Sequence, residues 1–221
     1  MTARCEGITL ESMLADEGAI STGYCTLARA AEVQLKRADS RFIALAQPLS
    51  ELSQVERYLD QARSRFPDAT HHCSAYRLLH EDSILEHGDD DGEPLHTAGA
   101  PMLQVLRGRE LCNALVVVVR YFGGTKLGVG GLIRAYGDAA KAALEAAGTV
   151  RKIPQARLRI RYSHALTGAV MGVLHRARAQ IEGVEHGELA QVRIVLARAQ
   201  LEELKRQLKE ACAGRVEVFD D

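Results

Sequence analysis

The residues best suited to chemistry in this chain lie in one short run, RYFGGTKLGVGGLIR, from Arg120 to Arg134. Gly123, Gly124, Gly128, Gly130 and Gly131 surround Thr125 and Lys126, and arginines bracket the whole. Glycine lets backbone N–H groups come close to a ligand, and a helix start adds partial positive charge. Lys126, Arg120 and Arg134 add full charges, so the run suits an anion: a phosphate, a nucleic-acid backbone or an acidic peptide. The order matches neither G-x-x-x-x-G-K-[ST] nor G-x-G-x-x-G after a strand, the two common phosphate frames. A rival reading makes the glycines a tight turn for close strand–helix packing, with the charges in water.

Arg77 is a further cation that ends a predicted strand, as Arg120 does. If those strands pair, Arg77, Arg120, Lys126 and Arg134 converge near the helix start. The rival fate of the arginines is ion pairing with Asp90, Asp91 and Glu93. His71, His72 and Cys73, with Asp89, Asp90 and Asp91, invite a metal. Their spacing fits no standard ligand set, and adjacent histidines on a strand point to opposite faces, so no metal and no cofactor is expected. Cys73 next to histidine could be a nucleophile, but a cysteine in an alternating strand reads better as a small core residue. Near the C-terminus Arg157, Arg159 and Arg161 alternate with Leu158, Ile160 and Tyr162. Together with Arg193 they form a candidate nucleic-acid face on an open sheet, though without the aromatic residues that stack on bases.

Elements must hold these groups in place. Ala114–Val119 is apolar on both faces and reads as a buried central strand. After the glycines, Leu132, Ile133, Tyr136, Ala140, Ala143, Leu144 and Ala147 share a helical face, with Gly148 as the stop. Upstream, strands are expected at Glu32–Lys36, Ser40–Gln47 and His72–Leu79. A helix capped by Ser50 carries Leu52, Val55, Leu59 and Ala62 inward. Glu86–Thr97 reads as a loop and Ala98–Arg107 as a helix. Thr149–Pro154 reads as a link between domains. Beyond it come a strand at Ala156–Tyr162, a helix capped by Ser163, strands at Ile181–Glu185 and Ala190–Leu196, a helix at Leu201–Ala211 and a strand at Val216–Phe219. That order is β-α-β-β-α-β, the ferredoxin-like split unit. The expected fold class is therefore α/β (α+β), with an N-terminal extension at 1–22, a domain at 23–150 and another at 154–221. Leu10, Met13 and Leu14 could form one helical turn in the extension.

Bulk composition narrows the classes. The chain has 221 residues, 47% hydrophobic and 26% charged, with a net charge of −1. A nucleic-acid contact must then come from a local patch. Five scattered cysteines without a C-x-x-C pair point to reduced thiols. No apolar run reaches membrane-spanning length, and no basic segment followed by an apolar stretch opens the chain. A cytoplasmic protein is expected.

Three blocks carry a family resemblance: RYFGGTKLGVGGLIRAY, HHCSAYR from His71 to Arg77, and DDGEPLHTAGAPML from Asp90 to Leu103. Together they resemble the signature of the IMPACT/YigZ family, with a match running from about Tyr24 to the C-terminus. The resemblance implies an N-terminal domain with the fold of the second domain of a small-subunit ribosomal protein. It implies a C-terminal domain like one in translocation elongation factors. Eukaryotic relatives of the first domain are translational regulators that compete for a partner of the general-control kinase. The expected function is thus non-enzymatic binding near translation, with RNA, the ribosome or an acidic protein as partner. The alternative is an enzyme acting on a nucleotide or another phosphorylated small molecule. One departure stands out: His96 occupies a position where the family has glycine. A negative φ that histidine tolerates is expected there.

Overall fold

The computed structural model describes residues 23–80 and 83–220, and the extension expected at 1–22 lies outside them. The described chain divides into two compact units, one spanning Tyr24–Lys152 and the other Ile153–Asp221. The first is built on a five-stranded antiparallel sheet of β2 (Ala31–Arg37), β3 (Ser40–Pro48), β6 (Ala114–Tyr121), β4 (His71–His80) and β5 (Ser83–Asp89), in that order across the sheet. The valine run is the middle strand because both its faces are covered. Ala114, Val116 and Val118 face a core with α2 (Gly99–Gly108) and α3 (Gly128–Ala147). Leu115, Val117 and Val119 face the smaller core under α1 (Ser53–Arg65). Alternation with period two thus divides the valines between two apolar layers.

Several local expectations are corrected. The first four residues of the expected loop, Glu86 to Asp89, belong to strand β5, whose Glu86 pairs in register with Arg77. Gly88 of β5 and Gly99 of α2 let the two backbones touch; a Cβ on Gly99 would sit 2.5 Å from the Asp89 nitrogen. The expected link is β7 (Thr149–Lys152), paired antiparallel with β1 (Tyr24–Leu27). Ser50 does not cap α1; its N–H donates to the Gln54 side chain at 2.8 Å. Ser163 makes no side-chain cap either. Cys73, Cys112 and Cys212 are free, buried thiols.

The second unit runs β8 (Gln155–Tyr162), α4 (Thr167–Arg176), β9 (Gln180–His186), β10 (Ala190–Ala197), α5 (Leu201–Ala211) and β11 (Val216–Asp220). Its strand order is β11-β8-β10-β9, all antiparallel. This is the split β-α-β arrangement, with both helices on the face presented by Leu158, Ile160, Val192 and Ile194. No helix among the described residues is long and apolar enough to cross a membrane.

The Gly88–Gly99 contact gives a direct test. Gly99→Ala forces backbone against backbone and should lower stability by about 1–3 kcal/mol, read as a reduced urea midpoint with an unchanged slope.

Candidate functional site

Antiparallel pairing decides where the predicted cations go. Arg77 lies opposite Ala114 and Arg120 opposite His71, so the two arginines occupy opposite ends of the β4–β6 pair. Six residues of strand put about 20 Å between them. They do not converge, and neither is a surface cation: Arg77 is 1% exposed and Arg120 5%.

Each is held by a carboxylate. Arg77 donates from Nε to Glu86 Oε1 at 2.6 Å and from Nη1 to the Leu111 carbonyl at 3.0 Å. Arg107 of α2 holds the other oxygen of Glu86 at 2.7 Å. Burial resists ionisation of Glu86, yet Arg107 and Arg77 together keep its carboxyl below the usual range. Arg120 donates from Nη1 to Glu93 Oε1 at 2.6 Å and from Nη2 to Ser40 Oγ at 3.3 Å. Its Nε is buried without a partner among the described residues. The guanidinium lies between the rings of Phe42 and Phe122, at 5.6 and 5.4 Å from their centroids. Of the rival pairings, Glu93 with Arg120 is present; Asp90 and Asp91 are used elsewhere.

The hydroxyl of Tyr136, from α3, donates to the same Glu93 oxygen at 2.7 Å. The Cys73 thiol donates to the Asp90 carbonyl at 3.0 Å, with its sulfur 3.3 Å from the Tyr136 oxygen. Burial pushes the Cys73 thiol well above its ordinary value, and Tyr136 offsets this only in part. A buried, protonated thiol is no nucleophile, so Cys73 serves the core. His71 Nδ1 meets the Asp91 carbonyl at 2.7 Å and His72 Nε2 meets the Phe66 carbonyl at 3.1 Å. Both rings are thereby committed to backbone, and among the described residues no group of His, Cys, Asp and Glu is arranged for a metal.

Asp90 organises the loop beneath α2. Its carboxylate accepts N–H groups from His96 at 2.6 Å and from Ala98 and Gly99 at 2.8 Å each. Burial opposes ionisation, but these three donors outweigh it and hold the carboxyl below its ordinary value. His96 has φ of +63°, which overturns the expected negative value. Asp90 requires the His96 N–H to turn inward, and that geometry is the left-handed one glycine adopts freely.

The glycine loop itself is open. Phe122–Lys126 and Gly128–Gly130 are exposed. Thr125 donates to Asp39 Oδ2 at 2.6 Å. Gly123 has a packing duty, since a Cβ there would lie 2.0 Å from the Asp39 carbonyl oxygen. A Cβ on Gly131 would lie 3.0 Å from that of Leu127, so this glycine also serves packing. Gly124, Gly128 and Gly130 have no neighbour closer than 4.0 Å to an added Cβ. Lys126 and Arg134 are exposed, and neither has a partner among the described residues. Of the four predicted cations, these two remain available. Leu95, Val129, Phe122 and Ile133 add exposed apolar surface, at 78%, 60%, 45% and 40%. Sequence reasoning assigned Ile133 to the buried face and did not single out the others; the only signal was apolar residues within a polar, glycine-rich run.

In the second unit Arg157, Arg161 and Arg193 do lie on the face away from the helices. Each meets a glutamate: Glu182 at 3.8 Å, Glu217 at 3.5 Å and Glu185 at 3.1 Å. Arg159 and Arg161 also lie over the Phe219 ring. Alternating charge lowers the attraction of this face for phosphate. A separate groove of about 320 Å³ lies between α1 and the β2–β3 edge, lined by Leu45, Tyr58, Ala62 and Val117 among others. It is on the opposite side of the sheet from α3.

Comparison with known proteins agrees with this layout. The family model for the Impact N-terminal domain matches residues 38–144. IMPACT family member YvyE of Bacillus subtilis is 34% identical over 165 residues, covering 75% of this chain and 76% of its own. IMPACT family member YigZ of Escherichia coli is 34% identical over 183 residues, covering 81% and 89%. A crystal structure described as that of a hypothetical protein superposes with a TM-score of 0.65 at 29% identity, covering 89% of this chain and 96% of that one.

Two outcomes are expected. Glu93→Ala leaves a buried, uncompensated guanidinium and should cost about 3–5 kcal/mol. Chemical denaturation of Glu93→Ala, Arg120→Met and the double variant should show a coupling of about 2 kcal/mol. His96→Gly removes left-handed strain and should raise stability by about 1 kcal/mol, visible as a higher melting temperature.

Proposed function

This chain belongs to the IMPACT family, and we propose that it is a non-enzymatic binding protein of translational control, working in the cytoplasm. Its recognition surface is the glycine loop and the start of α3. One observation carries the reading: Lys126 and Arg134 stand exposed and unpartnered among the described residues, while the groups that could do chemistry are buried. Arg77, Arg120, Glu93 and Cys73 are fixed in the core. What the loop offers a partner is open backbone, two cations and apolar side chains. Those features bind; they supply no nucleophile and no general base. Translation enters through the resemblance to regulators that share the first domain.

The alternative, an enzyme acting on a nucleotide or phosphorylated small molecule, would use the same loop as a phosphate cradle. It would show as thermal stabilisation by nucleotides. The binding reading predicts instead that full-length protein associates with purified ribosomes, a short single-stranded RNA or an acidic peptide, more weakly as salt rises. Lys126→Gln with Arg134→Gln should reduce that affinity about tenfold, flatten the salt slope by roughly one to two on RNA, and leave the melting temperature nearly unchanged. Unaltered binding combined with a large loss of stability would overturn it.

A further inference from the structure

We infer that the outward face of α3 is a docking face for an acidic helix of a partner protein. The inference rests on the proposed recognition surface and names what it takes. Beyond Lys126 and Arg134, Lys141 is exposed on the same helix and also lacks a partner among the described residues. The acids that share this side are already engaged: Asp138 with Arg37 at 2.9 Å and Glu145 with Arg109 at 2.6 Å. The face therefore presents uncompensated positive charge along several helical turns, from a protein whose net charge is −1.

Shape supplies the second argument. Gly130 and Gly137 are seven residues apart, hence on the same side of the helix. A Cβ at Gly137 would meet nothing within 4 Å, and at Gly130 only the end of Arg134 at 4.0 Å. Glycine within a helix costs about 1 kcal/mol relative to alanine, and nothing among the described residues requires it at either position. The two positions leave a bare strip of backbone beside Arg134 and Lys141, where a second helix can approach closely. Val129 and Ile133, one turn apart, form its apolar margin.

These features select among occupants. A phosphate backbone gains nothing from valine or isoleucine, and three cations neutralise few phosphates. A second copy laid antiparallel would bring Lys126 towards Lys141 and Arg134 towards its own counterpart, setting like charges together. A helix with small and apolar residues along one stripe, flanked by Glu or Asp, satisfies charge and shape together.

The test uses the full chain and a fluorescent, capped amphipathic peptide of about 20 residues, with Ala and Leu along one stripe and Glu on the flanks. A Lys-flanked version and a single-stranded oligo-U RNA complete the set. The acidic peptide should bind at least about tenfold more tightly than the Lys version, a difference of about 1.4 kcal/mol. Lys126→Glu with Arg134→Glu and Lys141→Glu should abolish that binding. Gly130→Leu with Gly137→Leu should weaken it at least about tenfold while the melting temperature holds or rises, because leucine favours a helix. No preference for the acidic peptide, or binding indifferent to the Gly→Leu pair, overturns the inference. RNA binding that depends on Lys126 and Arg134, without peptide binding, leaves the recognition surface standing and overturns its assignment to a helix. Dependence of neither ligand on those two residues overturns both. Self-association weakened by Gly137→Leu gives the face to a second copy and likewise overturns the inference.

Discussion

The first unit depends on a constraint set by Arg120: a guanidinium cannot sit in a dry core without a counter-charge. Arg120 ends a strand that is apolar on both faces, and its side chain lies on the same side of the sheet as α3. Among the described residues only Glu93 reaches it with a negative charge. That demand draws the loop after β5 over the end of the sheet. Tyr136 completes the carboxylate from α3, and Asp90 turns the loop back to receive the first N–H groups of α2. One buried pair thus joins the central strand, the loop and both helices of this face. Asp90, Glu93, Arg120 and Tyr136 all belong to the blocks that carry the family resemblance. Their physical role is to hold the fold.

Much of the architecture was legible because its signals are local. The valine run, the helical stripe of Leu132 to Ala147 and the order of elements in the second unit each follow from a period of two or of 3.6. β5 was hidden because Ser83–Asp89 mixes histidine, glycine and acids, and its partner is visible only once strands are paired. β7 was hidden for a different reason: all four residues are exposed, so they carry no apolar alternation. The caps at Ser50 and Ser163 failed because both helix starts open on local backbone turns, Val55 to Leu52 and Leu166 to Ser163, with no side-chain cap.

At the site, residue type was readable and direction was not. Nothing in HHCSAYR or VVVVRY states whether the strands run together or oppositely, and that single fact sends Arg77 and Arg120 to opposite ends of the sheet. The rival expectation of ion pairing held for Glu93 and missed Glu86, which belonged to the unseen strand. Lys126 and Arg134 stay exposed because Lys126 lies in the loop and Arg134 on the solvent side of α3, between buried Leu132 and Ala135. At His96 the side chain misled: Asp90 sets the backbone there, and the histidine is accommodated at a cost.

The β1–β7 ribbon has a mechanical consequence. Tyr24 lies opposite Lys152 and Leu27 opposite Thr149, so the strand entering the first unit is zipped to the strand leaving it. A pull on the two ends would meet these bonds one at a time, from the Tyr24–Lys152 end inward, as in opening a zip. Load would pass at the same time to the start of the central strand, because Cys112 donates its N–H to the Cys25 carbonyl at 2.9 Å and Asn113 Nδ2 donates to the Tyr24 hydroxyl at 3.1 Å. The two ends of the unit are therefore clamped both to each other and to the strand at its centre.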